Sequence, residues 1–413
     1  MRALDFVLTF PLPAVAANQP DKKQNRMKSL GGLLHFAARL RRLIRASMRP
    51  GSSAAPTRLR LQPQAESPPP PAGLGDAAFN SLALELFGLQ FRHNPPYRRL
   101  CQARGLEPGP PADWSAIPAV PAAAFKELEL SCLSPEQRTA VFYSSGTTGQ
   151  RRSRHFHNAR SLALYRASLM PWFEANVMDC GRGIESCQLA ILTPGPAEAP
   201  HSSLVWMFEM VRRRLGAPSS AFLGRAAQDG AWGLDLEAAT TALQSSVRAA
   251  KPLLLLGTAF LFLRLLDHLG EHGLRLELPA GSRAMETGGY KGRSRAVPPE
   301  ELRALITRRL GIPPARIIRE YGMSELSSQA YAPSGPPSAF HFPAWARAQV
   351  ISPETGLEVA PGETGLLRVF DLANVFSVLA IQTEDLVVRL ADGLELLGRA
   401  ALAEPRGCSL MSY

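Results

Sequence analysis

Lysine is nearly missing from this 413-residue chain: only 6 of its 46 basic residues are Lys, and Arg fills the other positions. Cysteine is scarce as well. The five cysteines, Cys101, Cys132, Cys180, Cys187 and Cys408, are odd in number, far apart and never in C-x-x-C spacing. That argues against a structural zinc site or a disulfide scaffold, and a reducing, cytosolic setting is expected. Long apolar runs are lacking too. Leu253 to Leu263 ends at Arg264, well short of the ~20 residues that span a bilayer. Phe6 to Ala16 has Asp5 beside it and two prolines inside it, which speaks against a signal peptide. Aromatic residues make up 7%, hydrophobic ones 46% and charged ones 20%. These figures exclude collagen, coiled coil and wholesale disorder, and leave enough apolar material for a sizeable core.

Acidic residues are the other shortage: 35 Asp plus Glu leave a formal charge of +11. An excess of that sign suggests phosphate binding. Its location argues otherwise. Residues 1–75 carry 12 basic and 3 acidic residues, a net of +9, whereas the remaining 338 carry 34 and 32. The body of the chain is nearly neutral and has no charge-based case for nucleic acid.

The chain divides by texture into five expected parts: a basic extension 1–49, a Pro-rich linker 50–75, an α/β core 76–347, a β-rich subdomain 348–405 and a tail 406–413. Within the extension, Met27 to Arg49 reads in two ways. Leu30, Leu33, Leu34, Ala37, Leu40 and Ile44 would line one face of an amphipathic helix, able to meet a membrane surface or a partner. Gly31-Gly32 near its start speaks instead for a poorly ordered, dispensable tail. Further on, helical periodicity marks Phe79 to Phe91, Ser161 to Phe173, Ala259 to Leu269 and Pro299 to Leu310. Gln188 to Thr193, Leu253 to Gly257 and Arg316 to Glu320 read as buried strands, so the alternation predicts a parallel sheet flanked by helices. After Ala348, Gln349 to Ser352, Gly365 to Phe370, Asp385 to Leu390 and Leu394 to Gly398 read as strands joined by glycine turns.

Two segments carry chemistry. In Val141 to Arg154, an apolar lead-in runs into Ser144, Ser145, Gly146, Thr147, Thr148 and Gly149, followed by Arg151 and Arg152. Glycines allow close backbone approach to an anion, hydroxyls and N–H groups converge on it, and cations neutralise it. The segment lacks the Walker spacing, and a structural turn with a solvated basic flank is the alternative. In Ile317 to Gln329, a buried strand delivers Glu320, Tyr321 and Gly322 to its C-terminal end, where open α/β sheets bind ligands. There Ser324 is placed to donate to a phosphate and Glu325 to hold Mg²⁺, or else Ser324 caps a helix.

These residues resemble the adenylate-forming enzymes. Ser144 to Gly149 is similar to their Ser/Thr/Gly-rich phosphate loop, and Tyr321-Gly-Met-Ser-Glu325 to their Tyr-Gly-x-Thr-Glu motif. Met285 to Arg293, with Gly288 and Gly289, resembles the segment that packs against adenine. Gln382-Thr-Glu-Asp385 resembles the motif whose aspartate binds the ribose hydroxyls, and Gly398-Arg399 the hinge Gly-Arg. Order and spacing agree across all five. Within that superfamily the likeness is to the acyl-protein synthetases, the fatty-acid-activating component of bacterial luminescence-type fatty acid reductases. It rests on Asn94-Pro-x-Tyr97, on Ile117 to Lys126, on Gly288-Gly-Tyr-Lys-Gly292 and on Arg406-Gly-Cys408-Ser, and it covers residues 76–413. Arg151 and Arg152 stand where the superfamily has Pro-Lys, and Glu384 replaces a glycine. The chain stops where the superfamily continues into a lid domain bearing a catalytic lysine, as acyl-protein synthetases also do.

The resemblance implies ATP- and Mg²⁺-dependent activation of a carboxylic acid, expected to be a fatty acid, as acyl-AMP. It implies nucleotide binding by residues 144–149, Gly288, Gly289, Glu320, Tyr321, Gly322, Ser324, Asp385 and Arg399, with Mg²⁺ on Glu325. Arg152 and Lys291 are the candidate catalytic cations, Lys291 standing in for the absent lid lysine. His201 is a candidate for the acyl pocket, or a satisfied surface histidine; Trp206 and Phe208 read as packing. Cys408 stands where the family places its acyl-accepting thiol, which would pass the acyl group onward, for instance to an acyl reductase. Two alternatives stay open: a CoA ligase of phenylacetate type, and a degenerate acyl- or nucleotide-binding subunit.

Overall fold

Four leucines in a row, Leu253 to Leu256, show no alternation because both faces of their strand are covered. Leu253 and Leu255 pack into one buried cluster, Leu254 and Leu256 into another. In the computed structural model, residues 21–48, 74–105, 111–144, 151–178, 188–228, 230–288, 297–333 and 338–400 are described, with backbone alone for 21–29. The described helices are α1 (Asp21–Ser47), α2 (Asp76–His93), α3 (Pro95–Ala103), α4 (Ala124–Glu127), α5 (Ala159–Val177), α6 (Ser203–Leu215), α7 (Leu236–Ala249), α8 (Ala259–Glu271) and α9 (Pro299–Leu310). The first strands are β1 (Val120–Pro121), β2 (Ala140–Tyr143), β3 (Arg154–His157), β4 (Gln188–Ile191), β5 (Ala221–Phe222), β6 (Gly224–Ala226) and β7 (Trp232–Leu234). The later ones are β8 (Leu253–Thr258), β9 (Arg283–Thr287), β10 (Ile317–Tyr321), β11 (Ala330–Pro333), β12 (Ala346–Ile351), β13 (Thr364–Asp371), β14 (Ala380–Arg389) and β15 (Leu394–Arg399).

The central sheet has the order β11-β10-β9-β8-β4-β5, parallel throughout except for β11 at its edge. One of its faces, with Ala190, Ala284 and Ile317, packs on α7, α8 and α9. The opposite face, with Leu189, Ile191, Met285 and Ile318, joins α5, α6 and the second sheet. This second sheet is β1-β14-β13-β12, with β15 also on β14, and it is antiparallel except for the β1–β14 pair. β1 crosses over from early in the chain, so one apolar core runs from α1 to β15 without a break at residue 348. The four body helices and seven strand windows expected from the sequence coincide with described elements. Among the described residues no helix is long and apolar enough to cross a membrane.

The poorly ordered tail expected near the N-terminus is corrected by α1. Leu33, Phe36, Leu40 and Ile44 are at most 1% exposed and belong to the main core. They pack on α2 and α5, and Arg39 pairs with Glu85. Gly32 has a physical reason to be there: a Cβ on it would lie 2.7 Å from Leu89 Cδ2. What reads locally as a helix-weakening Gly-Gly is a close approach of two helices. The apolar face of α1 is therefore occupied within the chain.

Candidate functional site

Parallel pairing aligns the C-terminal ends of three strands. Thr258 of β8 lies opposite Thr287 of β9, and Thr287 opposite Glu320 of β10. Thr287 Oγ1 donates to the Glu320 carboxylate. Burial pushes Glu320 up to about 7, with the neighbouring Glu286 charge adding to it. Burial also raises Glu286 to about 7, against the pull of Arg319 at 3.3 Å. A Cβ on Gly322 would lie 2.4 Å from Glu320 Oε1, so glycine there leaves the carboxyl its place.

From this edge the chain runs into residues 322–329, which form no helix or strand. Ser324 therefore does not cap a helix; its Oγ donates to Glu325 Oε2 at 3.1 Å. The Glu325 carboxylate is also hydrogen-bonded by the Ser153 side chain. Burial raises its pKa, opposed by both serines and by the charge of Arg399. Ser153 belongs to the β2–β3 hairpin that bears the Ser/Thr/Gly loop. At the loop's base, Ser144 N donates to Ser153 O (3.2 Å) and Ser153 N donates to Ser144 Oγ (3.0 Å). Two residues on, His155 Nδ1 lies 2.8 Å from the Ser324 carbonyl. A carbonyl only accepts, so Nδ1 carries the proton. Burial lowers the His155 pKa to about 4 and keeps the ring neutral.

The second sheet reaches the same place. Tyr321 Oη donates to Asp385 Oδ2 at 2.7 Å, and Thr383 is a further partner of the phenol. Arg399, opposite Asp385 in the β14–β15 register, approaches Oδ1 at 3.4 Å. Ser144, Glu320, Tyr321, Gly322, Ser324, Glu325, Asp385 and Arg399 thus form one connected constellation, although the chain separates them by up to hundreds of residues. Gly288 follows directly on β9.

Other sequence-derived candidates sit differently. Arg152 is exposed, and Arg151 pairs with Glu127 at 2.6 Å. His201 is exposed, with Nδ1 3.2 Å from the Val141 carbonyl and its ring against Tyr143, so it rests on the hairpin. Phe208 is fully buried; Trp206 meets Tyr165 edge to face with centroids 4.9 Å apart. Ser145, Gly146, Thr147, Thr148, Gly149, Gly289, Lys291 and Cys408 lie outside the described residues.

Sequence reasoning missed Ser153, His155, Thr287, Asp371 and Asn374. Only for His155 was there a signal, since His155 and His157 stand two apart and share a strand face. It also passed over His268, Glu271 and His272, the one grouping of metal-ligand side chains among the described residues, carried on α8 and its end.

Glu325 meets what Mg²⁺ requires of a protein. It offers a hard oxygen donor, buried and already oriented, and Mg²⁺ is ordinarily held by one or two carboxylates together with substrate phosphates and water.

No curated protein matches the sequence. Among solved structures, the chain is similar to 2-hydroxyisobutyryl-CoA ligase in the postadenylation state with 2-HIB-AMP. The TM-score is 0.57 at 16% identity, covering 78% of this chain and 67% of that one. The same ligase with 2-HIB-AMP and CoA in the thioesterification state gives 0.57 at 17% identity, with 78% and 68% covered. Its open conformation gives 0.55 at 16%, with 78% and 69% covered. These likenesses establish the fold as that of the adenylate-forming ligases. The family described as acyl-protein synthetase, LuxE, matches residues 75–412. By that match the chain belongs to the acyl-protein synthetase (LuxE) family of adenylate-forming ligases.

Proposed function

We propose that this chain activates a fatty acid with ATP and holds the acyl group as a thioester on Cys408 before passing it to a partner. One observation carries the first half: Tyr321 and Asp385, from two different sheets, meet at 2.7 Å beside Glu325 and the base of the Ser/Thr/Gly hairpin. That arrangement supports a nucleotide site with ribose at Asp385, phosphates at the hairpin and adenine along residues 288–289.

A carboxylate is a poor electrophile. Its oxygen attacks the α-phosphorus of ATP, pyrophosphate leaves, and the acyl-adenylate carries a good leaving group. Such catalysis rests on holding the reactants in line and neutralising charge as it moves. Glu325 would hold the Mg²⁺ that shields the phosphates. Neutral His155 adds no competing charge and holds the Ser324 carbonyl, while Ser144 and Ser153 bond to each other at the base of the hairpin. Arg152 and Lys291 are proposed as the cations facing the phosphates, and Arg399 as a partner of the ribose-binding Asp385. The Cys408 thiolate then attacks the acyl carbonyl, AMP departs and a thioester forms. Family membership and the Arg406-Gly-Cys408-Ser match support that second half.

Incubation with radiolabelled fatty acid, ATP and Mg²⁺ is expected to label the protein in hydroxylamine-labile form, and Cys408→Ala is expected to abolish the label while acyl-AMP still forms. Undiminished label in Cys408→Ala excludes that cysteine. Acyl-CoA formation on adding CoA, without protein labelling, would favour the CoA ligase.

A further inference from the structure

We propose that Asp371 and Asn374 form a positioning bracket that fixes the backbone at Glu325 and so aims its carboxylate. The inference rests on reading Glu325 as the metal-holding carboxylate.

Residues 322–329 lack regular structure, yet Glu325, Ser327 and Ser328 are nearly or fully buried. Backbone groups there cannot turn to water or to a strand ladder, so side chains must satisfy them. Asp371, at the end of β13, is 0% exposed and has only neutral hydrogen-bond partners. Its Oδ2 accepts from Ser327 N at 2.8 Å; Oδ1 accepts from Ser328 Oγ at 2.7 Å and Ala373 N at 2.9 Å. Asn374 completes the grip. Its Nδ2 donates to the Glu325 carbonyl at 2.8 Å, and its Oδ1 accepts from Ser327 Oγ at 2.6 Å.

The bracket is tied to the framework. Ser328 Oγ lies 2.9 Å from Ser168 Oγ on α5, and Trp345 Nε1 donates to that same Ser168 hydroxyl at 2.7 Å. A buried carboxylate with no cation is costly, and well-packed apolar residues usually match or exceed its contribution to stability. What apolar residues cannot do is hold the polar groups of Glu325, Ser327 and Ser328 in an irregular loop in one geometry. Asn374 fixes Glu325 from its main-chain side while Ser153 and Ser324 fix it from its carboxylate side. The second sheet thereby sets the geometry of a group delivered by the first.

The test is Mn²⁺ uptake by the full chain in the presence of a non-hydrolysable ATP analogue, followed as loss of the free-Mn²⁺ EPR signal. Asn374→Ala and Asp371→Asn are compared with Glu325→Gln, and Ser327→Ala serves as a mild variant that deletes one hydroxyl. Outer-shell partners of a metal ligand typically govern about 10–100-fold of affinity, so Asn374→Ala and Asp371→Asn are expected to weaken Mn²⁺ at least about tenfold. Ser327→Ala is expected to weaken it less, and it carries the test should Asp371→Asn not fold. A purely structural role would lower the melting temperature and leave Mn²⁺ affinity unmoved. Wild-type affinity in folded Asn374→Ala and Ser327→Ala, with Glu325→Gln weakened, overturns the bracket and leaves the reading of Glu325 standing. Wild-type affinity in Glu325→Gln overturns that reading, and the bracket with it.

Discussion

Glu286 and Glu320 end neighbouring strands in a place that water hardly reaches, and burial holds both near pH 7. The folded pKa of Glu320 is thus raised above its unfolded value of about 4.3. Its favourable contribution is complete below that unfolded value and is lost as pH rises through about 7. Glu320→Gln, which keeps an acceptor for Thr287, is therefore expected to gain on the wild type by about 1–3 kcal/mol between pH 5 and pH 8. Urea unfolding at the two pH values checks this, and an unchanged difference would contradict it. His155 works with the opposite sign. Its depressed pKa gives stability above about 6.5 that drains away as pH falls towards 4. At this scale the sequence was half legible. Glu320, Tyr321, Ser324 and Glu325 could be picked out because their chemistry is local to one strand end. For His155 the spacing from His157 was the one local sign, and its partner Ser324 is 169 residues away; Asp371, 44 residues from Ser327, had no local sign at all.

Elements were more legible than residues, since periodicity and continuous apolar runs are local properties of a chain. Pro299–Leu310 begins on Pro and stops before Gly311, and its helix lies where those two residues put it. The exception was α1. Whether an amphipathic helix docks depends on a surface elsewhere, here α2 and α5, and the Gly31-Gly32 pair obscured it. Because Phe36 and Leu40 are core residues, Phe36→Ala or Leu40→Ala is expected to cost about 2–5 kcal/mol. Removal of residues 1–48 is expected to expose the apolar faces of α2 and α5 rather than trim a tail. Denaturant unfolding of the point variants measures this directly; changes below about 0.5 kcal/mol, the usual size for surface positions, would show that α1 contributes nothing to the core.

At the scale of the whole molecule, the chain brings two sheets and one hairpin to a single point. The parallel sheet supplies Glu320 and Tyr321, the antiparallel sheet Asp385 and Arg399, and the hairpin Ser144, Ser153 and His155. The scarcity of lysine in the body, where only Lys126, Lys251 and Lys291 occur, takes on meaning here. The described cation closest to the proposed ribose site is Arg399, and the rest of the body's basic residues largely balance its acids. The central claim is that this meeting point adenylates a carboxylic acid. Isotope exchange between labelled pyrophosphate and ATP tests it most directly, with Mg²⁺ and a panel of fatty and short-chain acids. Exchange that depends on a fatty acid and falls at least about tenfold in Asp385→Asn is the predicted result. No exchange with any acid, from a folded chain that still binds ATP, would contradict it.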